Sequence, residues 1–338
     1  MSTLHTLTSA REFNPSFLVR HNQIQSVFAT KSPRRSIWLR RGNQMEAVQQ
    51  WQVVDAGGGV RLTGMRSAQA AGVVPKGLVV LIHGWEGSHN SGYLYSMSCA
   101  LYAAGYNIFR LNLRDHGGSH ALNKGIFHSA RMDEVLGAIA AVTQQEKALT
   151  PQLDLYVIGF SLGGNFSLRV ALQGPARGLT PRLCIGVSPA ITPGAMLQAI
   201  DQGPLVFRRY FMSKWQKTLK AKQAAWPEYD FRPLAHHRRF LDITREFVLA
   251  YTDYGSLENY LSQYTLTPDQ LLAAPAPVAV ITSRDDAVIP FRDFDGLAVR
   301  GSVLSYDATR HGGHCGFIEN LRMSSWAEER VLQLLQAH

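Results

Sequence analysis

Cysteine is scarce in this 338-residue sequence, and its three cysteines (Cys99, Cys184 and Cys315) are too scattered for a metal site or a disulfide framework. This usage is typical of a reducing compartment. Residues 1–20 are polar and lack an apolar leader, so we expect a cytoplasmic location. No apolar run approaches the roughly 20 residues of a membrane-spanning helix. No short repeat is present either, which excludes collagen-like and low-complexity chains.

Charged residues are also few, at 17% of the chain, whereas hydrophobic residues make up 46%. This composition can build a sizeable core and excludes intrinsic disorder. The length suits one large α/β domain or two ordinary ones. A net charge of +9 is compatible with nucleic acid, anionic lipid or an acidic substrate as partner. Because no nucleic-acid-binding motif is present, we favour a solvated basic surface and expect no nucleic-acid partner.

Short apolar segments alternate with helical ones along much of the chain. The run Leu78–Ile82 is wholly aliphatic, as in a strand buried on both faces. Ser129 is a plausible N-cap residue for a helix over 129–145. Further strands are predicted at 107–113, 153–158, 183–187, 278–282 and 303–306, and further helices at 93–104 and 322–336. This alternation predicts an α/β fold with a mostly parallel central sheet and helices on both faces.

The alternation stops between residues 189 and 275, which have the character of helices separated by proline and glycine. An insertion so late in a β/α series predicts a helical cap over the sheet edge. We therefore expect a core formed by residues 51–188 and 276–338, and a cap segment formed by 189–275. Residues 1–50 are predicted to form an N-terminal arm, either irregular or built from short elements packed on the core.

One predicted cap helix is amphipathic. Four apolar residues recur at intervals of four and form a stripe, whereas the basic residues between 208 and 222 lie on other faces. Such a helix can lie on an anionic membrane surface. We favour the alternative in which the stripe packs the cap onto the sheet and the lysines face water. The stripe consists of Phe207, Phe211, Trp215 and Leu219.

The segment Gly159–Gly163 matches the pattern G-x-S-x-G, follows a predicted buried strand and begins a helix. In this setting a serine is held on a tight turn with its hydroxyl exposed above the sheet. Glycine allows a turn so sharp that a bulky side chain would clash. The helix N-terminus behind Ser161 offers N–H groups to a developing oxyanion. The motif predicts that Ser161 is a nucleophile; the alternative is a glycine-rich turn with an incidental serine.

A nucleophilic serine needs a base and an orienting acid, which follow it in the order Ser, Asp, His on this scaffold. Asp285 and Asp286 follow the predicted strand at 278–282, at the edge where open α/β sheets place active sites. We favour Asp286 as the acid and Asp285 as a turn or capping residue. For the base we favour His314, which leads into the last helix, and interpret His311 as a loop side chain bonded to backbone. No third ligand accompanies these histidines, so we expect no metal and no other cofactor.

Two backbone N–H groups are predicted to form an oxyanion hole. One belongs to Leu162, the residue after the nucleophile, and the other to Trp85, in the loop after the strand Leu78–Ile82. Gly84 in that loop lets the backbone approach the reacting centre closely. The loop Asp115–Ser119, after the next strand, is interpreted as structural.

Taken together, these motifs resemble the YheT-like branch of the α/β-hydrolase superfamily. The resemblance also extends to the N-terminal arm and the cap segment. It implies a serine hydrolase with a Ser-Asp-His triad that acts on carboxylic esters, and in some relatives on acyl lipids. The expected partner is accordingly a small-molecule ester. The segments that carry the resemblance are His83–Ser88, Gly159–Asn165, the Asp285-Asp286 pair and Gly312–Phe317.

Other functions remain open at this point. A lipid or thioester hydrolase would use the same three residues, and so would an acyltransferase in which an alcohol replaces water. The spacing of His128 and Asp133 matches an H-x4-D pattern proposed for acyl transfer, although His237 and Asp242 match it too. A non-catalytic ligand-binding relative is less favoured, because every residue type of the triad is present.

Overall fold

Eight strands form one sheet in the computed structural model, which describes residues 11–30, 33–40 and 44–338. They lie in the order β1-β2-β4-β3-β5-β6-β7-β8. β2 pairs antiparallel with β1 and with β4, and all the other pairs are parallel. The predicted mostly parallel α/β sheet is confirmed. The strands are β1 (Gln49–Asp55), β2 (Arg61–Ser67), β3 (Leu78–Ile82), β4 (Asn107–Asn112), β5 (Leu155–Phe160), β6 (Pro181–Val187), β7 (Val278–Ser283) and β8 (Val303–Thr309).

Helices cover both faces of this sheet. Successive residues of β3 point to opposite faces, so Leu78, Val80 and Ile82 enter one apolar core and Val79 and Leu81 enter the other. The helices are α1 (Asn22–Thr30), α2 (Arg34–Arg40), α3 (Gln44–Val48), α4 (Gly92–Ala103), α5 (Met132–Leu149), α6 (Leu162–Gln173), α7 (Pro193–Gln202), α8 (Leu205–Ala225), α9 (Phe240–Tyr251), α10 (Leu257–Ser262), α11 (Pro268–Leu272) and α12 (Trp326–Ala337). Among the described residues, no helix has the length and apolar character needed to cross a membrane.

The start of α5 differs from the prediction. The helix begins at Met132, so Ser129 is not its N-cap residue. Instead the Ser129 N–H donates to the Tyr260 hydroxyl, and its carbonyl accepts a hydrogen bond from Arg169. The backbone before α5 is therefore held by α6 and α10, contacts that no local capping signal reveals.

The N-terminal arm is only partly described, because residues 1–10, 31, 32 and 41–43 lie outside the described residues. Its described part forms α1, α2 and α3, and α2 and α3 pack against α4. Between β6 and β7, where the cap segment is predicted, the described elements are α7 to α11 and a short 3₁₀ helix at Arg232–His236. The division of the chain into domains stays a prediction.

The helix α8 carries the predicted apolar stripe, but its basic residues do not all face water. Trp215 and Leu219 are buried, as the stripe requires. Lys222 is fully buried as well, and its ammonium group donates to the Asp115 carboxylate at 2.9 Å and to the Asn123 carbonyl at 2.6 Å. The prediction of water-facing lysines is therefore wrong for Lys222, which ties α8 to the loop after β4.

Replacing Lys222 with alanine should lower the free energy of unfolding by about 3–5 kcal/mol, because the Asp115 carboxylate would stay buried without its partner. Chemical denaturation near neutral pH measures this change. Lys220→Ala, on the exposed side of the same helix, should change the free energy by less than about 0.5 kcal/mol. Equal stabilities of the two variants would contradict the role assigned to the pair.

Candidate active site

Ser161 lies in a strained turn between β5 and α6. Its φ of 55° and ψ of −119° are rare for a residue with a side chain. A Cβ on Gly159 would lie 1.8 Å from the Gly163 carbonyl oxygen, and a Cβ on Gly163 would lie 2.2 Å from that of Ile82. Both positions therefore require glycine. The Ser161 N–H donates to the Val187 carbonyl at 2.9 Å, which fixes the turn at the carboxyl edge of the sheet.

The imidazole of His314 lies between Ser161 and Asp286. Its Nε2 is 2.9 Å from Ser161 Oγ, and its Nδ1 is 2.9 Å from Asp286 Oδ2. Because an ionised carboxylate can only accept a hydrogen bond, Nδ1 carries the proton of the neutral ring, and in that form Nε2 is the acceptor that faces the hydroxyl. The three predicted residues, which come from the loops after β5, β7 and β8, thus form one continuous hydrogen-bonded chain.

The two neighbouring aspartates have separate contacts. The Oδ1 atom of Asp286 accepts the N–H groups of Val288 and Ile289 at 2.8 and 3.0 Å, which leaves Oδ2 for His314. Asp285 instead accepts the Gly313 N–H at 2.9 Å. The Asp285 carboxylate also lies 3.7 Å from the Nδ1 atom of His311, so the expected bond between His311 and backbone is replaced by a contact with a side chain.

The environment of His314 favours its charged form. Burial is the largest single influence and opposes a charge on the ring, but the adjacent Asp286 carboxylate and Cys315 together outweigh it, so the pKa of His314 is raised well above its usual value of 6.5. The same attraction would stabilise the imidazolium that forms when the ring takes a proton from Ser161.

The peptide between Gly84 and Trp85 has a fixed orientation. The Gly84 carbonyl accepts a hydrogen bond from the Gly87 N–H at 2.9 Å and contacts His83 Nδ1 at 2.7 Å. Because a trans peptide is planar, the Trp85 N–H points the opposite way. A Cβ on Gly84 would lie 3.2 Å from Ser161 Cβ, so this peptide packs directly against the nucleophile candidate.

Two buried histidines support this loop in their neutral form. His83 Nε2 accepts the Leu113 N–H, and His116 Nε2 accepts the Glu86 N–H, both at 3.2 Å. Burial lowers the pKa of His83 well below its usual value and lowers that of His116 to about 4. Both rings therefore keep a free nitrogen acceptor for a backbone N–H near neutral pH.

The N–H of Leu162 is the second predicted oxyanion donor. Leu162 is the first residue of α6, where a helix leaves its N–H groups without an intrahelical partner. Within the described ranges, no protein acceptor takes the N–H of either Leu162 or Trp85. Both residues line the same cavity as Ser161.

That cavity has a volume of about 930 Å³, and Ser161 and His314 lie in its wall. One side is aromatic: the Trp85 ring contacts Phe211, Trp215 and Phe240 at centroid distances of 5.9, 5.5 and 5.0 Å. Since Phe211, Trp215 and Phe240 belong to α8 and α9, the segment between β6 and β7 shapes the apolar part of the cavity.

Glu86 gives the cavity a polar side that the sequence analysis missed. It accepts a hydrogen bond from the Thr218 hydroxyl of α8, so it connects the loop after β3 to that helix. Burial raises its pKa to about 7, and this effect exceeds the opposing influence of Lys214. A single glutamate in a loop carries no sequence signal for such burial.

The H-x4-D match formed by His128 and Asp133 is not assembled into a site. Asp133 pairs with Arg177 at 2.7 Å, and both side chains are mostly exposed. His128 lines the cavity, with Tyr254 and Tyr260 against the edges of its ring. In the part of the chain that the structure describes, no group of three histidine, cysteine or acidic side chains could hold a metal ion.

Comparisons with known proteins identify a family and a relative of the whole chain. Residues 74–311 match the family model Hydrolase_4, described as serine aminopeptidase, S33. An Escherichia coli (strain K12) protein named "Putative esterase YheT" is 26% identical over 337 residues, which cover 96% of this chain and 95% of that protein.

Two solved structures share the fold. The Pyrococcus furiosus esterase Pf2001 superposes with a TM-score of 0.55 at 14% identity, over 86% of this chain and 92% of its own. The Pyrococcus horikoshii acylaminoacyl peptidase superposes with a TM-score of 0.53 at 14% identity, over 86% of this chain and 41% of its own. Both are α/β-hydrolase folds, and at this identity the likeness concerns the fold alone.

The burial of Glu86 predicts a pH-dependent stability. A carboxyl group whose folded pKa of about 7 exceeds its ordinary value of 4.5 contributes stability that is lost as the pH rises through 7. Glu86→Gln removes this ionisation. From about pH 5 to about pH 8, the free energy of unfolding of the variant should gain about 2–3 kcal/mol relative to the unmodified protein. Denaturant titrations at both pH values measure the change.

The exposed Glu12 provides the control. Glu12→Gln should track the unmodified protein at both pH values. A Glu86→Gln protein that does the same would show that Glu86 ionises in the folded protein as freely as in water.

Proposed function

The chain belongs to the serine aminopeptidase S33 (Hydrolase_4) family and has the α/β-hydrolase fold, and we propose that it cleaves carboxylic esters through an acyl-enzyme. The observation that carries the proposal is the continuous contact from Ser161 Oγ through the His314 ring to Asp286, beneath a cavity with an apolar wall. The substrate is a small-molecule ester whose acyl part packs against the aromatic side chains of α8 and α9.

The reaction needs one proton to move in each half of the cycle. Ser161 Oγ attacks the ester carbonyl while His314 Nε2 takes the hydroxyl proton, and the tetrahedral intermediate collapses to an acyl-enzyme as that proton passes to the leaving alcohol. Water then attacks the acyl carbon in the same way and releases the acid. Asp286 keeps the proton of the ring on Nδ1 and stabilises the imidazolium.

The oxyanion of each intermediate needs donors that are already in place. We assign these to the N–H groups of Trp85 and Leu162, which have no protein acceptor among the described residues and line the cavity beside Ser161. Loss of one such donor costs about 3 kcal/mol of barrier. The neutral ring of His83, which holds the Gly84 carbonyl, supports this orientation.

The family description names an aminopeptidase, so peptide hydrolysis is the second candidate. An aminopeptidase must bind the ammonium group of its substrate. Among the described residues, two acidic side chains line the cavity: Asp115 is paired with Lys222, and Glu86 has a pKa raised to about 7 by burial. Neither provides a free carboxylate of ordinary acidity, which favours an uncharged ester.

The cellular setting is also a proposal. Among the described residues, Cys99, Cys184 and Cys315 are buried and form no disulfide, which is compatible with the predicted cytoplasmic location. Buried thiols of this kind take no part in the proposed reaction.

Ser161→Ala should reduce hydrolysis of p-nitrophenyl acetate and butyrate to the uncatalysed background, because no other hydroxyl contacts the His314 ring in the described part of the chain. Release of p-nitrophenol measures the rate. Hydrolysis that survives the substitution would remove Ser161 from the proposed role.

Three parallel assays separate the alternatives. A fluorophosphonate probe should label the unmodified protein and not Ser161→Ala; an unlabelled protein would be a ligand-binding relative. Faster release from aminoacyl p-nitroanilides than from esters would favour the aminopeptidase. Ester products formed with an added alcohol, in excess over the free acid, would favour acyl transfer.

The contact between Asp286 and His314 predicts a pH effect. The raised pKa of His314 means that kcat/KM should fall as the pH decreases through a value above 6.5, because a protonated ring cannot accept the Ser161 proton. Asp286→Asn removes the charge that raises this pKa, so the acid limb should move to lower pH. It should also lower kcat by roughly 10⁴-fold by disfavouring the required tautomer.

Asp285→Asn is the matched control for that measurement. Its side-chain oxygen can still accept the Gly313 N–H, so kcat should change by only a few fold and the acid limb should stay in place. If Asp285→Asn moved the limb and Asp286→Asn did not, the assignment of the acid would be reversed.

A further inference from the structure

The N-terminal helix α1 contacts both loops that carry the proposed acid and base. The Asn22 side chain donates to the Asp285 carbonyl at 3.0 Å. Ser26 Oγ accepts the backbone N–H of His314 at 2.9 Å, and the Ser26 hydroxyl donates its own proton to the Asn22 carbonyl at 2.7 Å. One short helix thus connects the residue next to the acid with the backbone of the base.

A third side chain of α1 fixes the chain that follows His314. Gln25 is fully buried, and its side-chain amide donates to the carbonyls of Val19 and Ile318, each at 2.8 Å. Its Oε1 atom accepts the Ile318 N–H at 2.7 Å. A buried amide with both ends paired in this way holds one geometry, because any shift would leave polar atoms without partners.

The loop that carries His314, residues 312–317, is called the base loop. Its glycines allow α1 to pack closely against it. A Cβ on Gly313 would lie 2.3 Å from the Asn22 carbonyl oxygen, and a Cβ on Gly316 would lie 2.6 Å from Gln25 Oε1. Only glycine permits so close an approach at both positions. The contact between α1 and the loop is therefore a backbone-to-backbone fit.

The loop also needs support from outside. Four of the six residues in 312–317 have positive φ, namely Gly312, Gly313, Cys315 and Phe317. For Cys315 and Phe317, which carry side chains, such conformations are sparsely populated and persist when surrounding contacts impose them. The His314 N–H finds its acceptor in Ser26, 288 residues away in the sequence.

We propose that α1 is a positioning element of the reaction centre, in which Ser26 sets the place of the His314 ring between Ser161 and Asp286 through its contact with the His314 backbone. This inference rests on the proposed acyl-enzyme function. Both the helix and the loop that carries His314 lie outside residues 74–311, the segment that matches the family model. A misplacement of the ring by about 1 Å would cost roughly 10²-fold in rate.

Ser26→Ala tests the role, because it leaves the His314 N–H without its acceptor. We expect kcat for p-nitrophenyl butyrate to fall by roughly 10- to 100-fold with KM little changed. The acid limb of kcat/KM should move to lower pH as the ring loosens from Asp286. Ser26→Thr keeps a hydroxyl that can make both bonds and should restore most of kcat and the position of the limb.

Thr30→Ala is the matched control. Thr30 is exposed on the same helix, and its hydroxyl bonds only to the Val27 carbonyl within α1 among the described residues. This variant should retain the kcat and the acid limb of the unmodified protein. Melting temperatures and circular dichroism establish that each variant is folded; if Ser26→Ala is not, Asn22→Ala, which removes the bond to Asp285, takes its place with the same expectations.

The rate of fluorophosphonate labelling at Ser161 separates this inference from the proposed function. It reports the reactivity of the Ser161–His314 pair whatever the natural substrate is, and it should fall in Ser26→Ala and not in Thr30→Ala. Unmodified protein that is labelled yet hydrolyses no ester would overturn the ester proposal alone. A folded Ser26→Ala protein that equals Thr30→Ala in labelling rate, kcat and acid limb would overturn the positioning role alone, and absence of labelling in the unmodified protein would overturn both.

Discussion

One imidazole ring has to satisfy two partners at once, and the arrangement of the site follows from that constraint. His314 can lie 2.9 Å from both Ser161 and Asp286 only if three loops end at one place. A parallel sheet provides this, because the carboxyl ends of β5, β7 and β8 share an edge. This shared edge brings the three loops together, but it does not by itself fix the position of the side chains that they carry. The loops after β5 and β8 also carry backbone conformations that would relax if they were unsupported, as the positive φ values of Ser161 and Cys315 show.

The support for these conformations is polar, whereas the support for the sheet is apolar. Both faces of β3 are covered by aliphatic and aromatic side chains, which stabilise the fold without fixing directions. Buried hydrogen bonds fix the orientation of particular groups: His83 orients the Gly84 peptide, Lys222 fixes α8, and Gln25 fixes the chain after His314. A buried polar group constrains geometry because each alternative leaves a donor or acceptor unpaired.

This division explains what the sequence could predict. The apolar run Leu78–Ile82 is a strand with those bounds, and the serine motif lies between a strand and a helix, because burial on both faces and glycine in a sharp turn leave local signals. Ser129 resembles a helix cap locally, but a tyrosine 131 residues away binds its N–H. The periodicity of α8 predicts its apolar stripe, yet it cannot reveal that Lys222 meets a carboxylate 107 residues earlier. The support given by α1 is equally invisible, since nothing near Ser26 indicates its partner.

Loss of the contacts of α8 is expected to lower stability, whereas loss of the contacts of α1 is expected to lower the reaction rate. Lys222 and Asp115 bury charges, so breaking that pair leaves an unpaired charge and costs stability. The contacts of Asn22 and Ser26 join neutral groups, so the loss of one leaves no unpaired charge and costs less stability. Reaction rate is far more sensitive than stability to a shift of the His314 backbone, because proton transfer needs the ring within hydrogen-bond reach of Ser161. In the proposed mechanism the N-terminal arm therefore acts on the geometry of the site, while its residues Phe13, Ala29 and Met45 also pack in the apolar core on one face of the sheet.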